Sequence, residues 1–225
     1  MKSAKTPIAE LDTYIFIDTN NIRTSCFKTL GLRIDFRRML EYFKKKYPNL
    51  KDVRYYEGIS NDDEYKKKLF KRLEKVGYTI CSLERKSYID PAVYKKVKCK
   101  KCGHVQREKV LGRSVKMKSN VDVYLATDLL EIAYLVQKPT HIVLVSCDGD
   151  YAEMIKNAIT KNENVLISVL ATPPVRQISR NTLSVRLRQL RSQVPRYQLT
   201  NIAGIGDIIK TKSTRNTTPR SEMTK

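Results

Sequence analysis

Four aspartates stand at the ends of apolar runs. Asp18 closes Tyr14-Ile15-Phe16-Ile17. Asp148 and Asp150 follow His141-Ile142-Val143-Leu144-Val145-Ser146-Cys147, with only Gly149 between them, and Asp122 opens an amphipathic stretch from Val121 to Val136. Carboxylates brought close together repel and raise one another's pKa. A hard divalent cation such as Mg²⁺ or Mn²⁺ relieves that repulsion, prefers oxygen ligands and keeps several waters. One or two such ions can generate hydroxide and stabilise an in-line displacement at a phosphodiester. Aspartate is also a favoured N-cap and turn residue, so each position alone has a purely structural account. The four together, in a strongly basic chain, point to metal chemistry.

A second group of reactive side chains lies in residues 84–118. This stretch carries 12 basic residues against Glu84, Asp90 and Glu108, a local charge of +9, and contains Cys99-Lys100-Lys101-Cys102-Gly103-His104. Cys-x-x-Cys-Gly is the shape of one zinc knuckle, but a structural zinc takes four ligands and a second Cys-x-x-Cys is missing. Three readings stay open: a zinc site completed by His104 or by a second subunit, a ribbon without metal, or two free thiols. The second-subunit version leaves a homodimer open. Lys95, Lys96, Lys98, Lys100, Lys101, Arg107, Lys116 and Lys118 fit a phosphate-gripping arm. Tyr88 and Tyr94, interleaved with them, can stack on unpaired bases or pack within a hairpin. No base-reading motif is present, so backbone binding with steep salt dependence is expected.

The elements that must position these groups alternate. Short apolar strands are predicted at Tyr14–Ile17, Val53–Tyr56, Tyr78–Leu83, His141–Val145 and Val165–Leu170. Between them lie amphipathic helices at 34–47, from about Ser60 to Val76 (ended by Gly77), at Val121–Val136 and at Tyr151–Thr160. Strands alternating with helices imply βαβ units and a parallel sheet covered on both faces. In such a sheet the strand ends and the starts of the following helices share one edge, where open α/β sheets place their sites. All four aspartates belong to that edge. Alternation around Val93–Val97 and Val105–Val110 predicts a hairpin-like excursion. Residues 1–12 read as a disordered or weakly held leader, 179–192 as a basic helix within a C-terminal helical extension over 172–210, and 211–225 as a disordered tail. The chain has neither Gly-x-Gly-x-x-Gly nor Gly-x-x-x-x-Gly-Lys-Ser/Thr, which argues against dinucleotide and nucleoside-triphosphate binding.

The 225 residues fit one domain with an insertion and a tail. A net charge of +21, from 44 Lys+Arg and 23 Asp+Glu, favours an anionic partner, nucleic acid first. No apolar run reaches membrane-span length, and the first residues lack a signal-peptide core, so no membrane role is expected. Five cysteines, an odd and scattered set, imply reduced thiols and a cytoplasmic protein.

Three segments resemble the motifs of the NYN domain, the LabA-like branch of the PIN-like nucleases: Phe16-Ile17-Asp18-Thr19-Asn20-Asn21-Ile22, Lys118-Ser119-Asn120-Val121-Asp122-Val123-Tyr124-Leu125-Ala126-Thr127-Asp128 and Val145-Ser146-Cys147-Asp148-Gly149-Asp150-Tyr151. The resemblance spans about residues 13–171. It implies a Rossmann-like three-layer α/β/α sandwich with a mostly parallel central sheet, to which 84–118 is a basic insertion. It also implies divalent-metal-dependent ribonuclease activity with Mg²⁺ or Mn²⁺. Matched by motif, Asp18, Asp122 and Asp148 are the expected metal ligands, with Asp150 acting through water. Asn21 orients Asp18 or contacts a phosphate. Ser146 bonds a scissile phosphate or a ligand carboxylate, or serves only the turn. Asp128 also matches, but on a helix it points roughly 120° away from Asp122, so the two do not share an ion; it caps, pairs with a basic group or faces the groove. Cys147 departs from the family's usual small residue and reads as a buried core cysteine. The leading expectation is an endoribonuclease acting on single-stranded or structured RNA. The alternatives are a non-catalytic RNA- or DNA-binding module and a metal-dependent DNA nuclease.

Overall fold

The computed structural model describes residues 7–90, 92–112, 114–174 and 183–211. Its centre is β1 (Asp12–Asp18), buried over its last four residues. The chain passes through α1 (Thr19–Leu30) and α2 (Phe36–Lys46) to β2 (Leu50–Ile59), then through α3 (Glu64–Val76) to β3 (Thr79–Glu84). After an excursion it returns by α4 (Val121–Leu135) to β8 (Thr140–Val145). From there α5 (Ala152–Lys161), β9 (Val165–Ala171), α6 (Val185–Gln193), β10 (Tyr197–Asn201) and the short α7 (Gly206–Ile209) follow. The strands form one six-stranded sheet in the order β10-β9-β8-β1-β2-β3, with every pairing parallel.

Two adjacent tyrosines of β2 show why the sheet is covered on both faces. Side chains alternate along a strand, so Tyr55 and Tyr56 point to opposite sides. Tyr55 meets Phe36 of α2 and Phe70 of α3 edge-on, while Tyr56 meets Tyr124 of α4. All of β8 is buried, as a strand covered on both faces must be. The result is a three-layer α/β/α sandwich with a parallel central sheet.

Strand order reverses between β1 and β8. The chain builds outward from β1 to β3, crosses back, and builds outward again from β8 to β10. At such a reversal the loops leaving the two strands diverge to opposite faces and leave a crevice at the strands' carboxyl ends. Asp18 ends β1, and Ser146-Cys147-Asp148 follows β8 directly.

The excursion is an arm of two antiparallel strand pairs. β4 (Lys86–Asp90) pairs with β7 (Ser114–Lys118), and β5 (Val93–Lys98) pairs with β6 (Val105–Leu111). β6 is exposed along its whole length.

Several expected elements differ. α1 was not anticipated: its residues Thr-Asn-Asn-Ile-Arg-Thr-Ser-Cys are poor helix formers. Tertiary contacts hold it, with Ile22 and Cys26 fully buried and Asp18 capping its first turn. Part of the predicted leader is ordered: Ile8–Glu10 forms a single 3-10 turn, Leu11 is buried and β1 begins at Asp12. The basic helix starts at Val185, and residues 179–182 lie outside the described residues. The C-terminal extension is not only helical, because β10 supplies the sheet's sixth strand. Of the predicted tail, 212–225 lies outside the described residues; the Thr211 N–H donates to the Arg33 carbonyl.

Candidate nuclease site

A cleft of about 520 Å³ opens at the reversal point. Asp18, Asp122 and Asp148 line it, together with Asn21, Ser119, Gly58, and the cations Arg85 and Lys118 from the two roots of the arm. Three of the four sequence-derived carboxylates therefore meet in one cavity. Asp150 does not: its side chain is 91 % exposed, 3.9 Å from Arg186, and is not part of the lining.

Asp18 is the most constrained of the three. It is buried, and Oδ1 accepts the Asn21 N–H at 3.2 Å. Its Oδ2 accepts hydroxyls from Ser146 and Tyr151, each at 3.2 Å. Burial pushes its pKa up to about 6; the three donors pull it down, and the charge of Asp148 adds to the rise. Tyr151 feels the same field. Burial raises its phenol first, and the charges of Asp18, Asp122 and Asp148 raise it further. One buried hydroxyl thus senses all three carboxylates.

Asn21 ties the two halves of the sheet together. While its backbone N–H donates to Asp18 Oδ1, its side-chain Oδ1 accepts the Cys147 N–H at 2.9 Å. Ser146 makes the same link from the other strand, since its Oγ donates to Asp18 and accepts the Asp148 N–H at 3.1 Å. Of the roles foreseen for these two residues, orienting a carboxylate is the one visible here. The capping account also holds for two of the four aspartates: Asp18 caps α1 and Asp148 accepts the Asp150 N–H at 3.0 Å. A carboxylate has lone pairs enough to cap a turn and still face a cleft.

Asp128 lies elsewhere. It is buried, accepts from Arg54 at 3.0 Å and from the Tyr56 hydroxyl at 2.7 Å, and so joins α4 to β2. Cys147 is buried, with its sulfur 3.2 Å from the Thr172 hydroxyl, as a core thiol should be. Sequence reasoning missed Tyr151, Arg85, Ser119 and Gly58. Tyr151 stood in the third motif, but a search guided by charge passes over a neutral hydroxyl. A Cβ at Gly149 would run into the Ser184 side chain, and the Ser184 backbone N–H donates to the Cys147 carbonyl at 3.1 Å.

The donor set is all oxygen, which suits a hard divalent cation. Among the described residues, however, no three His, Cys, Asp or Glu side chains are grouped closely enough to hold an ion directly. The expected tight convergence is thus looser than the sequence implied. Asp18 is fixed inside the strand end by three hydrogen bonds, whereas Asp122 sits on the exposed first turn of α4. Magnesium keeps several waters and needs only one or two direct carboxylates, so the residues present fit a hydrated ion.

Residues 12–184 match the NYN domain model. The chain belongs to the NYN family. NYN domains fall within the PIN-like nuclease superfamily, whose members generally use divalent metals. No curated protein matches the chain significantly. A protein of unknown function from Vibrio parahaemolyticus has a similar solved structure, with a TM-score of 0.56 and 18 % identity over 92 % of this chain and 99 % of that one. That likeness speaks to the fold alone. No helix among the described residues is long and apolar enough to cross a membrane.

Proposed function

We propose that this NYN domain is a divalent-metal-dependent endoribonuclease. The observation that carries the reading is the lining of one cleft by Asp18, Asp122 and Asp148 beside Arg85 and Lys118. Acidic groups in the cleft and cations on its wall are what a phosphodiester bound with its cation requires. Asp18, Asp122 and Asp148 would hold Mg²⁺ or Mn²⁺, which supplies Lewis acidity toward the phosphate and the attacking water. Ser146, Tyr151 and the Asn21 amide keep the Asp18 carboxylate in one orientation. Arg85 and Lys118 neutralise phosphate charge at the cleft wall, and the basic arm beyond them extends the contact along the RNA backbone.

The test is incubation of labelled RNA and matched DNA with wild type and Asp148→Asn, in Mn²⁺ and in chelator. Asparagine caps the turn as well as aspartate does, so the variant should fold. Cleavage of RNA that needs metal and falls on the order of 100-fold in the variant is expected. Undiminished cleavage by the variant refutes the site. Preferential cleavage of DNA makes the protein a DNA nuclease. Tight, salt-sensitive binding without cleavage in any metal makes it a binding module.

A further inference from the structure

Cys99 and Cys102 sit at the tip of the arm, in the turn joining β5 to β6. Backbone bonds close the turn: the Cys99 N–H donates to the His104 carbonyl at 2.8 Å, and the Gly103 N–H to the Cys99 carbonyl at 2.9 Å. Gly103 has φ of 71°, a left-handed conformation that glycine adopts without strain. The closed turn holds both cysteines at one tip, Cys102 exposed and Cys99 half-buried.

The inventory of the chain decides how such a pair can be completed. There are five cysteines and two histidines in the whole sequence. Cys26, Cys81 and Cys147 are buried in the core, and His141 is buried in the sheet against Ser168. Only Cys99, Cys102 and His104 remain. A structural zinc site takes four such ligands, commonly Cys₄, Cys₃His or Cys₂His₂. The tip holds three of these at most, and no group of three His, Cys, Asp or Glu forms among the described residues, so a zinc bound there is completed from outside the chain.

We propose that the tip is half of a zinc site, in which Cys99 and Cys102 of two copies of this chain bind one Zn²⁺ tetrahedrally and join the arms end to end. The surroundings suit it. Cys102 is exposed and β6 is exposed throughout, so a second tip has free approach. A zinc tetrathiolate carries a net double negative charge. Lys98, Lys100 and Lys101 flank the knuckle on each copy, and that charge offsets the repulsion between two basic tips. The site lies outside the carboxylate cleft and does not depend on the nuclease reading.

The experiment is light-scattering mass and bound-zinc stoichiometry on the full chain, kept reduced, with Zn²⁺ and with chelator. Expected are a monomer in chelator, a twofold rise in mass with zinc, and one zinc per two chains. Cobalt in place of zinc should give the visible spectrum of a tetrahedral tetrathiolate. Cys102→Ser should stay monomeric with an unchanged melting temperature, because the tip carries no core. His104→Ala should dimerise like wild type. One zinc per chain on a monomer, no zinc on reduced protein, a dimer that persists in chelator or in Cys102→Ser, or loss of the zinc dimer in His104→Ala would each overturn the assignment.

Discussion

Asp18→Asn should destroy function and yet stabilise the metal-free protein. The carboxylate is buried, and its pKa rises from 3.8 to about 6 on folding. A raised carboxylate favours the protonated form in the native state. Its effect is absent below the unfolded pKa, and ionised Asp18 destabilises the native state as pH rises through the folded pKa. The shift is about two pKa units, worth about 3 kcal/mol above pH 6. Asparagine resembles the protonated acid. Its oxygen can accept the Asn21 N–H, and its amide can donate to the Ser146 and Tyr151 oxygens that now donate to Asp18. In chelator at about pH 8, urea denaturation should find the variant more stable by about 3 kcal/mol, and at about pH 5 by roughly half as much. Mn²⁺ should raise the melting temperature of wild type and leave the variant unmoved, because a ligand that binds only the native state stabilises it. A variant less stable than wild type in chelator, or a stability gap equal at both pH values, would refute the account of a carboxylate held at a cost.

Burial, and then the charge of Lys46, lowers His141 from 6.5 to about 4. The unfolded chain therefore takes up this proton first, and His141 should cost wild type up to about 3 kcal/mol as pH falls from 6.5 to 4. Comparing denaturation of wild type and His141→Gln across that range isolates the effect, and parallel curves would count against it. Arg54→Met strands Asp128 in the core and should cost about 3 kcal/mol, partly recovered by adding Asp128→Leu; a loss no larger than a surface substitution would deny the pair its role. Gly58→Ala would drive a Cβ into the Ser119 side chain and to 3.2 Å from Arg85 Cγ, so cleavage should drop while the melting temperature moves little; unchanged cleavage would show that this wall of the cleft is dispensable. Replacing Lys95, Lys96, Lys98 and Lys100 with alanine should weaken RNA binding and lower its salt slope by up to about 3, at roughly 0.7 per lost contact on a single strand; an unchanged slope would take the arm out of the RNA path.

Much of the fold was legible because its signals are local. Apolar β-branched runs such as Ile142–Val145 end on polar residues, and Asp63 and Gly77 bracket α3 as cap and stop. α1 was hidden because its sequence lacks helix propensity and borrows stability from the sheet beneath it. β10 was hidden because five alternating residues, Tyr197–Asn201, read as a strand only once β9 is there to pair with them.

The aspartates were legible for a related reason. Charge at the end of a buried strand is costly unless it serves something, and chain order alone assigns strand ends to one edge of a parallel sheet. Residue types also showed that the tip offers two cysteines and one nearby histidine, one short of the four ligands of a structural zinc. Tertiary structure decided which residues of those types share space. It gave Asp128, which helix geometry already turned away from Asp122, its partner Arg54. It left Asp150 in solvent while turning Tyr151, the next residue, inward onto Asp18. It brought Arg85 and Lys118, far apart in sequence, to one cleft at the roots of the arm. Neighbours along the chain can point to opposite sides, and residues far apart can meet, because side-chain direction is set by backbone geometry and packing rather than by residue type.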